Sequence, residues 1–231
     1  MDRKERQQGG MELLVVTLAH IGAGRDAEGL ARIRIISDTM RNALGLVSAS
    51  FYRSRGRESY YLMLTTWEDK ECWQKAKEQY NPKQLLMESP TELLSDPPEQ
   101  WLMRYLWGYS RPAAESILAA AHLGTIRPDQ TERTQRGWIE CLRRLAVQPT
   151  LSFAFLARGL NEDAILSRSA SPPGANGGSE MLSKQGSIFL NLLSWASQAD
   201  REDFYADVNY QAISRFLSGV GVVQIITLDL I

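Results

Sequence analysis

Two stretches of this 231-residue chain resemble each other, and that repetition limits the folds open to it more than any other feature. Leu18-Ala19-His20-Ile21-Gly22 is answered by Ala120-Ala121-His122-Leu123-Gly124, so the only two histidines stand in matching contexts, 102 positions apart. Phe51-Tyr52-Arg53-Ser54-Arg55-Gly56 is answered by Ala154-Phe155-Leu156-Ala157-Arg158-Gly159 at an offset of 103. Tyr61-Leu62-Met63-Leu64-Thr65-Thr66-Trp67 is answered by Phe189-Leu190-Asn191-Leu192-Leu193-Ser194-Trp195 at an offset of 128. The jump in offset places an insertion at about 160–186, around the Ser/Gly/Pro-rich run at 167–180. The reading is therefore a disordered N-terminal tail over 1–10, a first repeat over 11–110, and a second over 115–231 carrying the insertion.

Each copy reads as strand, helix, strand, strand, helix, strand. In the first copy the strands are expected at 11–21, 46–53, 59–66 and 100–109, with helices over 26–44 and 68–80. In the second they are expected at 116–126, 150–157, 187–194 and 221–230, with helices over 129–146 and 198–217. This βαββαβ order is the ferredoxin-like arrangement, an antiparallel sheet with its helices on one face. The third strand of each copy is apolar at successive positions, Tyr60 to Leu64 and Ile188 to Leu190, whereas a strand with one wet face alternates. Both faces need cover, and the second copy's sheet is the obvious partner for the far one. The expected fold is thus α+β: tandem ferredoxin-like βαββαβ repeats forming a pseudo-dimeric α+β barrel.

Composition removes several function classes. Lys+Arg 26 against Asp+Glu 27 leaves a net charge of −1, without the basic excess of a nucleic-acid binder. Two cysteines and two histidines make neither a disulfide framework nor a zinc centre, so no metal site is expected. The charged start has no apolar core of a signal peptide, and no apolar run reaches the roughly 18 residues of a membrane helix. A cytoplasmic protein with no nucleic-acid and no membrane partner is the expectation.

The third strand ending in Thr/Ser-Trp before an acidic helix (LTTWEDKECW, 64–73), preceded by Ala43 to Ser54, resembles the antibiotic biosynthesis monooxygenase-type domain of the dimeric α/β-barrel superfamily. The second copy departs from it, with LLSWASQADREDF where an acidic residue would follow the tryptophan. The resemblance implies a cofactor-independent monooxygenase-like oxidoreductase acting on a hydrophobic aromatic substrate, quinol- or anthrone-like. Such a substrate loses a proton, and its anion passes an electron to O₂ without metal or flavin; the protein supplies an apolar cavity and donors to the oxyanion. Members of that kind use an asparagine and a tryptophan, which map onto Asn191 and Trp195. Four apart on a strand, these share one face. Met63 stands where the second copy has Asn191, so the second copy is the one expected to act.

His122 is the candidate base, because an imidazole titrates near neutral pH; the substrate ionising unaided is the alternative. Phe189, Phe204, Tyr205, Trp138, Trp67 and His20 complete the expected lining for a hydrophobic small-molecule ligand. Two other readings stay open: a non-catalytic small-ligand-binding or scaffold protein, and a haem-binding protein using His20 or His122. The haem-degrading pattern fits poorly, since its first-strand asparagine falls at Thr17 and neither 68–80 nor 198–217 contains histidine. No cofactor is expected, and the assembly is an internal pseudo-dimer, with a further homodimer left open.

Overall fold

The computed structural model describes residues 12–56, 58–89, 92–111, 118–160 and 186–231. The expected tail over 1–10 and nearly all of the insertion at about 160–186 lie outside the described residues. The chain divides into two compact units, Met1–Arg104 together with Ile231, and Tyr105–Leu230. The fold class is α+β, two ferredoxin-like βαββαβ units in one chain.

In the first unit, β1 (Leu13–Ile21) lies between β3 (Ser59–Trp67) and the start of β4 (Glu99–Ser110), and β2 (Leu46–Ser54) flanks β3, all antiparallel. Strand β3 is buried from Tyr61 to Trp67 on both faces, which is why its sequence is apolar without alternation. Helix α1 (Asp26–Met40) buries Gly29, Ile33, Ile36 and Met40. It stops four residues short of the expected end: Leu44 is 89% exposed, not part of the apolar stripe. Gly45, at φ +80°, then turns the chain where a β-carbon would come within 2.6 Å of the Cys72 Cβ. Helix α2 (Lys70–Tyr80) is capped by Asp69, whose carboxylate accepts from the Cys72 backbone N–H. The residue before Pro82 resists helical geometry, so the chain breaks at Asn81. A short α3 (Pro82–Met87), not expected from the sequence, follows under an Asn81 cap.

In the second unit, β5 (Leu118–Ile126) lies between β7 (Ser187–Trp195) and β8 (Gly221–Leu230), with β6 (Leu151–Gly159) outside β7. Helix α4 (Thr131–Ala146) buries Thr134, Trp138, Cys141, Leu142 and Leu145, a stripe at helical spacing. The expected single helix over 198–217 is two, α5 (Gln198–Ala206) and α6 (Val208–Val220). Asp207 has extended geometry (φ −61°, ψ 137°), and its side chain caps α6 by accepting from the Asn209 N–H. One core joins these helices to one face of the sheet, through Phe189, Leu193, Trp195, Trp138, Phe204 and Tyr210 among others.

The registers show which positions of the two units correspond. Leu13 lies opposite Trp67 and Leu118 opposite Trp195, so the first strands match at an offset of 105. The second strands match at the same offset, since Leu46 and Leu151 oppose those tryptophans and an irregularity follows each. The offsets of 102 and 103 read from the sequence are therefore corrected. His122 corresponds to Thr17, and His20 to Thr125. No helix among the described residues is long and apolar enough to cross a membrane.

Candidate functional site

The second unit gathers most of the candidate residues into one layer between its sheet and its helices. Strand alternation sends Phe189, Asn191, Leu193 and Trp195 of β7 to the helix side. His122 lies directly opposite Asn191 in the ladder, and paired residues of antiparallel strands share a face. Trp138 comes down from α4, Phe204 and Tyr205 from α5. Asn191 is 1% exposed and His122 2% exposed.

The asparagine is fully engaged. Its hydrogen-bond network orients the carboxamide so that Oδ1 accepts from Trp138 Nε1 at 3.1 Å and Nδ2 donates to the Phe155 carbonyl at 3.0 Å. It thereby ties α4 to β6 through β7. The tryptophan is the opposite case. Trp195 is fully buried, and its Nε1–H finds no hydrogen-bond partner among the described residues. Buried donors without partners are rare in folded proteins and need an explanation.

His122 sits in the middle of β5, inside the strand expected over 116–126. Its Nε2 is 2.9 Å from the Tyr205 hydroxyl, and its ring lies 5.9 Å from those of both Tyr205 and Tyr210. Burial lowers its pKa from 6.5 to about 4, so the imidazole is neutral at pH 7. Burial likewise pushes the Tyr205 phenol up, and Tyr210 up to about 12. Tyr205 is half-buried and touches Trp195 (5.6 Å between ring centroids), Phe204 (5.5 Å) and Tyr210 (4.9 Å).

Tyr210 was not singled out from the sequence. On one continuous helix, positions 205 and 210 would point well apart; the break at Asp207 brings their rings together. An acidic residue able to cap a new helix inside a helical pattern was the available signal.

Trp67 and His20 belong to the first unit, on opposite faces of its sheet. Trp67 is helix-facing, 5.2 Å from the Trp73 ring of α2, and its Nε1 donates to Thr65 Oγ1 at 3.1 Å. His20 faces away from the helices, stacked on Tyr60 (4.7 Å) with Nδ1 3.4 Å from Asp96. Where the second unit has His122, Thr17 Oγ1 accepts from Gln100 Nε2 at 2.8 Å, and Gln100 Nε2 also donates to Asn81 Oδ1.

An open groove of about 320 Å³ lies elsewhere in the second unit, between α4 and α6, with Arg133, Gly137, Cys141, Ile213 and Phe216 in its lining. Cys141 is a buried apolar contact there, its thiol pushed up to about 12 by burial and so unreactive. No cluster of three or more His, Cys, Asp or Glu able to hold a metal ion occurs among the described residues.

No protein-family model and no curated protein matches the chain. Solved structures do. An anthrone oxidase-like protein is similar at 13% identity and TM-score 0.67, covering 95% of this chain and 91% of its own. A candidate monooxygenase from Fusobacterium nucleatum is similar at 6% identity and TM-score 0.67, covering 96% and 93%. Another from Lactobacillus acidophilus gives 6% identity and TM-score 0.62, covering 95% and 94%. At these identities the likeness is one of fold. It agrees with the resemblance read from the Thr/Ser-Trp motif: the described residues have the ferredoxin-like fold of these structures.

Proposed function

We propose that the second unit is the active half of a cofactor-independent monooxygenase-like oxidoreductase acting on a hydrophobic aromatic, quinol- or anthrone-like substrate. The observation that carries this reading is the unpartnered indole N–H of Trp195. Its counterpart Trp67 donates to Thr65, but the position corresponding to Thr65 is Leu193, so the second unit lacks that acceptor. A buried donor held free suits an oxygen that gains negative charge as the substrate ionises.

The other residues take roles that follow from their surroundings. Asn191 holds Trp138 and β6, and in this arrangement positions the layer around Trp195. His122, with a pKa of about 4, is a weak base towards a phenol-like group near pKa 10; full transfer would be uphill by roughly 8 kcal/mol. In this mechanism the neutral imidazole takes part through a hydrogen bond while the substrate ionises without a strong protein base. The apolar walls, Phe189, Phe204 and Trp138, keep water from the reduced oxygen species.

Oxygen uptake with a panel of quinols and anthrones tests this, using the parent protein, Trp195→Phe and Asn191→Ala. Trp195→Phe keeps an aromatic ring and removes the donor, and should cut turnover by about 10²–10³, the usual loss for one oxyanion donor. Turnover unchanged in Trp195→Phe would remove the site. No turnover on any substrate would favour the non-catalytic ligand-binding or scaffold reading.

A further inference from the structure

The half-buried member of the aromatic layer is Tyr205, and it differs from everything it touches. Its four ring neighbours, His122, Trp195, Phe204 and Tyr210, are 0–7% exposed, whereas Tyr205 itself reaches solvent. They enclose its ring at 4.9–5.9 Å between centroids, one stacked, one tilted and two edge-on. At the inner end, the hydroxyl meets His122 Nε2 at 2.9 Å. A phenol thus occupies a slot of aromatic walls closed by one polar atom, and an unpartnered indole N–H belongs to one of those walls.

The slot's occupant is also the part of the layer best placed to leave. Tyr205 is on the last turn of α5, a nine-residue helix ending at Ala206, and extended backbone follows at Asp207. Phe204, its neighbour, is fully buried and anchors that turn, so the Tyr205 ring can rotate outward about its own side-chain bonds while the helix stays docked.

We infer that the second unit contains a binding slot for a single phenol ring, filled in this structure by the chain's own Tyr205, and that a phenolic ligand binds by taking the place of that ring. Its hydroxyl would bond His122 Nε2, its ring would stack on His122 and lie against Trp195, and Tyr205 would swing to the solvent side. This goes beyond the proposed function: the Tyr205 hydroxyl position is bonded by His122 and not by the Trp195 N–H, so the slot is defined by its aromatic walls and the imidazole nitrogen. It also makes the ligand class specific. A phenol should be preferred over a hydrocarbon of the same shape, because only the phenol satisfies the buried imidazole nitrogen.

The test is titration calorimetry of the full chain with p-cresol and with toluene, with circular dichroism reporting the fold. Tyr205→Ala empties the slot and should bind p-cresol about tenfold more tightly than toluene, the worth of one hydrogen bond. Adding His122→Leu should abolish that preference. Equal affinities in Tyr205→Ala, or no binding of p-cresol, would overturn the inference. If Tyr205→Ala does not fold, Tyr205→Phe decides. It keeps a ring in the slot but loses the bond to His122, so p-cresol should displace it roughly tenfold more readily than it displaces the native tyrosine. Identical p-cresol affinity in Tyr205→Phe and the parent protein would then overturn the inference. Selective p-cresol binding without oxygen uptake on any quinol or anthrone would leave the slot standing and remove the oxidase reading; turnover without such selectivity would do the reverse.

Discussion

Replacing each of the two corresponding tryptophans by phenylalanine removes the same atoms from two fully buried sites, yet the two substitutions should differ in cost. The lost apolar contacts and the volume left behind cancel to first order, because Trp67 and Trp195 are both 0% exposed at equivalent ends of their strands. What remains is the indole N–H. Trp67→Phe removes a hydrogen bond to the buried Thr65 hydroxyl, a net loss of about 0.5–1.5 kcal/mol. Trp195→Phe removes a donor without a partner, relieving a desolvation penalty of about 1–3 kcal/mol. Trp67→Phe should therefore be the more destabilising by roughly 2–4 kcal/mol. Urea unfolding followed by far-ultraviolet circular dichroism measures both, each variant against the parent. If the units melt separately, each substitution is compared on its own unit's transition. Equal costs, or a larger cost at Trp195, would refute the reasoning: the Trp195 N–H would then be satisfied in the resting protein, and the proposed oxyanion donor would not be waiting free.

Three further outcomes are expected. Asn191→Ala leaves the Trp138 N–H and the Phe155 carbonyl without their partner, and should cost about 2–4 kcal/mol in the same urea assay, far more than an exposed asparagine would. His122 has a pKa of 6.5 unfolded and about 4 folded, so the unfolded chain binds the extra proton; the contribution is fully present above pH 6.5 and is lost as pH falls towards 4, to a total of roughly 3 kcal/mol. Its ring neighbours Tyr205 and Tyr210 stay uncharged across that window, so the melting temperature of His122→Asn should fall less between pH 7 and pH 5 than that of the parent protein. Gly221→Ala would place a β-carbon 2.2 Å from the Thr125 carbonyl oxygen where α6 enters β8, and should cost about 3 kcal/mol, seen as a lowered thermal midpoint.

The elements that were legible in the sequence are those whose signal is local. Strands β3 and β7 announce themselves through unbroken apolar runs ending in tryptophan, and burial of both their faces is the cause. Asn191 and Trp195 share a face because a strand repeats every two residues, and no tertiary knowledge is needed for that. The division of 198–217 into α5 and α6 was hidden, since apolar residues continue at helical spacing past the break. Asp207 interrupts the helix through its backbone geometry and its cap on Asn209, which spacing does not report. The partners of Asn191 were hidden for a different reason: Trp138 and Phe155 come from other elements, and only assembly brings them to the amide.

The two histidines show how a sound local signal misleads when register decides. Leu-Ala-His-Ile-Gly and Ala-Ala-His-Leu-Gly align at an offset of 102, but the ladders align β1 with β5 at 105. A difference of three is odd, and on a strand an odd slip exchanges the faces. His20 therefore turns away from its helices, towards Tyr60 and Asp96, while His122 turns towards α5 and α6. With the true register, the positions at which the helix-facing layers differ include Thr17 against His122, Met63 against Asn191, and Thr65 against Leu193. In the first unit these residues close their hydrogen bonds locally, Thr65 with Trp67 and Thr17 with Gln100. In the second, the same positions place an imidazole against a tyrosine and leave an indole donor free. A repeat preserved only for stability would be expected to keep the closed arrangement in both copies. The second unit departs from it at these neighbouring positions on one face, and the proposed site rests on that departure.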